Sequence, residues 1–300
     1  MVQVENRFDK ISMWKRGSQR APHKPLLLLL AISKCLNENE RLLSYATVDE
    51  DLRSLLKEFG PNRKSYHTEY PFWRLQNDGI WEVENVKKLN FEVNQSGDVK
   101  KTDLIKNHIR GGFKEHVYRN MLHNQMMIKE IIQEIMENNF PTTIHEDILQ
   151  AVGIEISLID RRVKPRNSIF RDRVLNAYEY KCAVCGFDVR MGHFPIALEA
   201  AHIKWHKAGG PDIEINGLAL CSLHHKLFDR GAYTISDDLI ILVSDRVNGT
   251  KGFEEWLMKF HGKKLRIPQR TIYYPVQEYT GWHIKEVFQG ESREVINDYG

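Results

Sequence analysis

Cys182 and Cys185 form one C-x2-C knuckle, and Cys221 and His224, separated from it by 35 residues, form a second knuckle of the same spacing. Paired knuckles of this kind close a tetrahedral zinc site, because thiolate and imidazole are the ligands that zinc prefers. Four protein ligands leave no open position, so the Zn2+ ion expected here is structural and chemistry must come from other residues. His202 and Asn216 lie between the knuckles, and His225 directly follows His224. An imidazole titrates near pH 6.5 and therefore accepts a proton at neutral pH, which is what activating a water molecule requires.

The run Ala201-His202-Ile203, Gly209-Gly210, Asn216-Gly217-Leu218, Leu220-Cys221, His224-His225 and Leu227-Phe228-Asp229 resembles the HNH nuclease motif. Its His, Asn and His are separated by 13 and 8 residues and nested in the zinc knuckles. The resemblance covers about 168–245 and implies a zinc-stabilised ββα-metal domain that hydrolyses phosphodiesters with one divalent cation, Mg2+ or Mn2+. It implies three roles: His202 as general base, Asn216 as the residue that stabilises the hairpin loop and orients that base, and His225 as a ligand of the cation. One departure stands out. Many such sites carry an acidic metal ligand directly before the base, and here that position is Ala201. Hard cations prefer oxygen ligands, so a carboxylate from elsewhere is needed. Asp229, four residues after His225 and on the same helical face, is favoured for it; Glu199, three residues before His202, is the weaker candidate.

These residues need elements to hold them. A short amphipathic helix with Phe170, Val174 and Tyr178 four residues apart runs into Cys182, and Arg171 and Arg173 on it are candidate phosphate contacts. Trp256, Trp282 and His283 read as packing for this small domain. Further upstream, Pro22-His23-Lys24-Pro25 suits a helix entry, and the leucines that follow suit a helix buried on several sides, with Cys35 in its core. A capping pair, Thr47 and Glu50, opens a second helix that stops at Gly60-Pro61. Tyr70 to Leu75 and Ile80 to Val83 flank Asn77-Asp78-Gly79 and read as an aromatic β-hairpin. Further helices are expected at about 102–110, 114–138 and 143–152, the last opened by the capping pair Thr143 and Glu146 and ending near Gly153. The chain therefore divides into a mainly helical domain at 1–155, a basic linker at 156–167 and a nuclease domain at 168–300, an α+β protein.

Arg20-Ala21-Pro22-His23-Lys24-Pro25-Leu26-Leu27 together with Tyr70-Pro71-Phe72-Trp73-Arg74-Leu75-Gln76-Asn77-Asp78-Gly79 resembles the sulfur-binding domain of type IV restriction endonucleases that recognise phosphorothioated DNA. In that family such a domain precedes an HNH nuclease, so the resemblance spans nearly the whole chain in the right order. It implies that Tyr70 and Pro71 contact the sulfur and that His23 and Lys24 contact base and backbone; Arg20 and Arg74 are added as cationic donors to the remaining oxygens. The physics agrees. Sulfur is larger, more polarizable and a poorer hydrogen-bond acceptor than oxygen, so a matching site presents apolar surface to it. An ordinary phosphate oxygen placed there loses its water without a replacement, at about 1–3 kcal/mol.

Composition fits this reading. The net charge is +3, with residues 1–160 at 22 basic against 23 acidic and residues 161–300 at 21 against 17. The densest strip is Arg161-Arg162-Val163-Lys164-Pro165-Arg166, suited to phosphates. The longest apolar run, Leu26 to Ile32, is seven residues, too short for a membrane span, and no signal-peptide pattern is present, so the chain is expected to be cytoplasmic with no membrane partner. The expected partner is double-stranded DNA bearing phosphorothioates. One HNH site nicks one strand, so a double-strand break calls for a homodimer or sequential nicks. Two alternatives remain at this level: an HNH enzyme that reads another mark such as methylcytosine, and a zinc-stabilised DNA-binding regulator whose nuclease centre has decayed.

Overall fold

Leu26 to Ile32 are essentially inaccessible to solvent, and this explains the architecture of the first unit: a helix apolar on every side becomes the element around which the others pack. The computed structural model describes residues 19–84, 86, 91–155 and 168–295. The linker 156–167, with the basic strip Arg161, Arg162, Lys164 and Arg166, lies outside them. Two compact units divide between Arg161 and Arg162. Among the described residues, no helix is long and apolar enough to cross a membrane.

In the first unit, helix α1 (His23–Glu38) begins at the paired prolines, as the sequence implies, and ends on a left-handed Asn39. Strand β1 (Leu42–Ser44) leads directly into α2 (Tyr45–Phe59), which Gly60 terminates. The capping pair at Thr47 and Glu50 does not open this helix: Ser44 occupies the cap, because the strand register delivers the chain there. The expected hairpin is absent as well. Tyr70 to Arg74 belong to α3 (Glu69–Arg74), followed by a 3-10 turn, and only Trp81–Val83 is a strand, β2. Phe72 and Leu75, three residues apart and fully buried, show helical rather than alternating burial. The partner that β2 lacks in sequence is β3 (Arg110–Phe113), the central strand of an antiparallel sheet ordered β1-β3-β2. This recruitment ends the preceding helix, α4 (Lys101–Lys106), short of the expected 110.

Glycines make the sheet possible. A Cβ on Gly112 would lie 1.8 Å from the Arg41 carbonyl oxygen, and one on Gly111 would lie 2.7 Å from the Phe72 ring. The sheet is thus fitted against the helix that carries Tyr70 and Pro71. The expected helix at 114–138 is two, α5 (Glu115–His123) and α6 (Gln125–Asn139), broken at Asn124, whose side chain caps the second by accepting from the Met127 amide. Likewise Thr143 lies in a 3-10 turn, and α7 (His145–Val152) starts after it and ends on left-handed Gly153.

The second unit opens with α8 (Ser168–Ala177). A small hairpin, β4 (Arg190–Met191) and β5 (Phe194–Pro195), precedes a second hairpin, β6 (Leu198–His202) and β7 (Gly217–Cys221). Helix α9 (Ser222–Asp229) follows β7 without a break. Strands β8 (Tyr233–Ile235) and β9 (Ile241–Val243) pair with each other, and α10 (Lys251–Trp256) and α11 (Gln277–Glu286) complete the unit. Trp282 and His283 are buried as expected, whereas Trp256 is 50% exposed, with the Lys259 ammonium over its ring, so it is not a packing residue. Cys182, Cys221, Phe228 and Tyr233 share one apolar core. The cysteine knuckles are therefore part of the core itself.

Candidate metal centre and nuclease site

Cys182, Cys185, Cys221 and His224 bring their donor atoms within 4.8 Å of one another. Three thiols and one imidazole, mostly buried and closed on themselves, fit a structural zinc ion. His224 turns Nδ1 to the sulfurs, 3.1 Å from Cys221 Sγ, while its Nε2 donates to the Trp256 carbonyl at 2.9 Å. That second contact fixes the tautomer with Nδ1 free to bind metal. Cys185 and Cys221, with His224, hold the Cys182 thiol well below the ordinary thiol range, as a zinc-binding thiolate needs.

His202 ends β6, pairing across the hairpin with Gly217. A Cβ at Gly217 would lie 2.4 Å from Val174, so α8 packs closely on β7 and brings Phe170 face to face with the His202 ring, centroids 4.1 Å apart. Burial lowers the affinity of this imidazole for a proton, and Asp212, whose Oδ1 lies 2.8 Å from Nε2, offsets part of that. The net direction is down, so His202 is neutral at neutral pH. Asn216 is fully buried, and its side-chain hydrogen bonds go to the loop rather than to the His202 ring. Its Nδ2 donates to the Lys204 and Pro211 carbonyls, both at 3.0 Å, and its Oδ1 accepts from the Lys204 amide at 2.8 Å. It locks the loop between the two strands, which also needs glycine at 210, where a Cβ would lie 1.8 Å from the Lys204 carbonyl oxygen.

His225, on α9, is held between two carboxylates. Its Nδ1 lies 2.6 Å from Glu199 Oε2, and its Nε2 lies 3.2 Å from Asp229 Oδ2. Burial opposes charge on this ring, but Asp229 and Glu199 override it and raise the imidazole to about 9. Glu199 and Ala201 have the same parity on β6, so Glu199 shares the strand face of the missing acid. Nε2 of His225 and Oδ2 of Asp229 make a nitrogen and oxygen pair on one side of the ring, the donor types a divalent cation takes, while Glu199 stands at the other nitrogen.

The other residues singled out in the sequence are placed as follows. Arg173 forms a two-point pair with Glu214, at 2.8 and 2.6 Å, and Arg171 donates to the Leu198 carbonyl at 3.1 Å. In the first unit, His67 stacks on Tyr70 at 4.8 Å and the Arg74 guanidinium lies 5.0 Å from the Tyr70 ring centre; Pro71 is buried. Arg74 is also paired with Asp98 through two contacts of 2.6 Å, Lys24 lies 2.5 Å from Asp78, and Arg20 donates to the Phe59 carbonyl at 2.7 Å. His23 is pushed down to about 4 by burial, assisted by the charges of His67 and Arg63, so it is a neutral hydrogen-bonding group rather than a cation. The sequence reading assigned no role to Asp98, Arg63, His67 or Asp78 here, or to Asp212 in the second unit. Two of these had a local signal: Asp78 lies inside the run that carries the sulfur-binding resemblance, and Asp212 follows Gly209-Gly210-Pro211 in a loop tied to the nuclease motif.

The second unit, a β-hairpin running into a helix with a Cys/His cluster, has the framework of an HNH nuclease domain. Residues 2–157 match the family described as ScoMcrA-like, DNA sulfur-binding domain, and residues 182–236 match HNH endonuclease. The chain belongs to the ScoMcrA-like DNA sulfur-binding domain family and carries an HNH nuclease domain after it. Among solved structures it is similar to the sulfur binding domain of ScoMcrA complexed with phosphorothioated DNA, at 20% identity and TM-score 0.45 over 50% of this chain and 94% of that one. It is also similar to the Type IV phosphorothioation-dependent restriction endonuclease ScoMcrA, at 19% identity and TM-score 0.42 over 54% of this chain and 36% of that one. A third is the modification dependent TagI restriction endonuclease, at 28% identity and TM-score 0.28 over 45% of this chain and 41% of that one. The chain thus spans well under half the length of the two full endonucleases. No curated protein matches it.

Proposed function

We propose that this protein is a modification-dependent restriction endonuclease in which domain 1–155 binds phosphorothioated double-stranded DNA, 156–167 links, and domain 168–300 hydrolyses phosphodiesters nearby. The observation that carries the nuclease half is the pairing, on adjacent elements of one hairpin-helix unit, of a neutral imidazole, His202, with a carboxylate-clamped one, His225. His202 takes the proton of the attacking water. His225 and Asp229 hold a divalent cation, and Glu199 accepts from His225 Nδ1, since a ligating histidine donates its other N–H to an oxygen and the 2.6 Å contact suits that role. A bound Mg2+ or Mn2+ ion offsets the charge that builds on the phosphate and leaving oxygen. The zinc at Cys182, Cys185, Cys221 and His224 is structural. With one such site per chain, cutting both strands requires two copies or two successive nicks.

On the reading side, Tyr70 and Pro71 supply the apolar surface for sulfur and His23 a neutral donor. Asp78 and Asp98 neutralise Lys24 and Arg74, which holds down the attraction for an unmodified backbone. The test is binding and mapped cleavage of matched phosphorothioated, methylated and plain duplexes. Preference for the phosphorothioated duplex is expected at about 5- to 150-fold, the equivalent of 1–3 kcal/mol. In Tyr70→Ala that preference is expected to fall toward unity with little change for the plain duplex. Preference for the methylated duplex, or an unchanged preference in Tyr70→Ala, removes the sulfur assignment.

The cation assignment makes a second prediction. Asp229→Asn is expected to raise the Mn2+ concentration for half-maximal cleavage by about 10- to 100-fold, with a smaller rise in Glu199→Gln. The reverse order would exchange the two roles.

A further inference from the structure

His202 has two ring nitrogens, and the neighbouring loop has already claimed one of them. Asp212 Oδ1 lies 2.8 Å from Nε2, in the loop that returns from β6 to β7. A carboxylate is an acceptor only, so in the neutral ring Nε2 carries the proton and Nδ1 carries the lone pair. Phe170, stacked at 4.1 Å and 14° from parallel, prevents the ring from turning out of that bond. The loop is in turn fixed by Asn216, whose Nδ2 donates to the carbonyl of Pro211, the residue next to Asp212.

We propose that Asp212 is a positioning residue for the nuclease reaction: it holds His202 in the Nε2–H tautomer so that Nδ1 is the atom that accepts the proton of the attacking water. Asn216 then acts on the base at two removes, through the Pro211 carbonyl and Asp212. The inference rests on the assignment of His202 as general base. In the step it serves, the water oxygen bonds to phosphorus and its proton passes to Nδ1. The bond from phosphorus to the leaving oxygen breaks, and that oxygen takes a proton from solvent. Asp212 stays ionised throughout and stabilises the imidazolium that forms, the part a buried carboxylate plays toward histidine in acyl-transfer triads.

The groups facing the ring are Asp212 and His206 from the loop and Phe170 from α8, with Asp229 of α9 acting at longer range. Asp212 and Asp229 favour the protonated ring, and His206 opposes it. Removing the Asp212 charge therefore lowers the pH at which His202 loses its proton. The acid limb of the rate profile follows that deprotonation and moves to lower pH.

The experiment uses the full chain with Mn2+ and phosphorothioated duplex, comparing parent, Asp212→Asn and Asp212→Glu. In Asp212→Asn, the single-turnover rate at saturating DNA is expected to fall about 10- to 100-fold and its acid limb to move to lower pH, with duplex affinity unchanged. Asp212→Glu keeps the charge and is expected to recover part of the rate and to return the limb toward the parent's position. A residue with a merely structural role would change the thermal melt and leave the limb in place. Nitrogen-15 NMR of the histidine-labelled parent reads the tautomer without any substitution and without cleavage. An Nε2–H signal for His202, lost in His202→Gln, is expected; an Nδ1–H signal, or a limb unmoved in Asp212→Asn, overturns the proposal. A parent that shows the Nε2–H signal and cleaves no duplex would leave the positioning intact and sink the base assignment.

Discussion

His202→Ala is expected to lower single-turnover cleavage of the phosphorothioated duplex by about 10²- to 10⁴-fold, the range that a positioned general base contributes. Binding of that duplex is expected to stay at the parent's level, because the residues assigned to sulfur recognition are in the other unit. The size of the effect follows from three features. The ring is neutral near pH 7, it is fixed by Asp212 and Phe170, and the neighbouring imidazoles are differently placed: the His206 ring centre lies 5.9 Å off at 59° to the His202 plane, and His225 is held between carboxylates that favour its protonated form. Were His202 only a packed histidine, the substitution would lower the melting temperature and spare the rate per folded molecule. Measuring rate and melt on the same preparation separates the two, and a His202→Ala protein that cleaves as fast as the parent would end the nuclease mechanism proposed here.

Removal of the zinc proposed for Cys182, Cys185, Cys221 and His224 is expected to abolish cleavage and to melt the second unit. Elemental analysis is expected to find one zinc per chain, and loss of that ion, by a strong chelator or by Cys182→Ser, should produce both effects together. Cys182 and Cys221 are core residues beside Phe228 and Tyr233, so an unliganded set leaves thiols and an imidazole facing an apolar interior. The stake is large. Zinc binding by knuckles of this kind is worth about 10–16 kcal/mol in isolated fingers, as much as the whole stability of an ordinary domain. The proposed catalytic groups would depend on it because α9 carries His224 and His225 side by side, and β7 runs straight into Cys221. A chelated protein that keeps both its melting temperature and its Mn2+-dependent cleavage would refute the structural role. Adding back Zn2+ should restore the melt, whereas Mn2+ alone should not, since thiolate ligands discriminate against it.

The recognition unit is tuned differently. Asp78 pairs with Lys24 and Asp98 with Arg74, and burial discharges His23, so on the proposed reading discrimination there would depend on what replaces lost water rather than on attraction to phosphate. Charge counting along the chain has no access to that distinction, because Lys24 and Asp78 are 54 residues apart and Arg74 and Asp98 are 24 apart.

How far the sequence reaches is clearest in the second unit. Ligand chemistry is local there: C-x2-C and C-x2-H spacings point to the metal cluster from residue types, and a His, Asn and His in fixed order carry the resemblance that implies the hairpin-helix. Helix entries and exits set by proline and glycine, at Pro22 to Pro25, Gly60 and Gly153, were legible for the same reason, since backbone preference is a property of single residues. The aromatic run at Tyr70 was not. Its residues suit a strand equally well, and only the insertion of β3, made possible by Gly111 and Gly112, decided which segment pairs with β2 and which coils into α3. Tertiary structure also chose the partners of the two imidazoles, bringing Asp212 to His202 across 10 residues and Glu199 to His225 across 26. A residue's chemistry is written in its side chain, but its protonation state and tautomer depend on which charges the folded chain sets beside it, and those neighbours are joined through space rather than along the sequence.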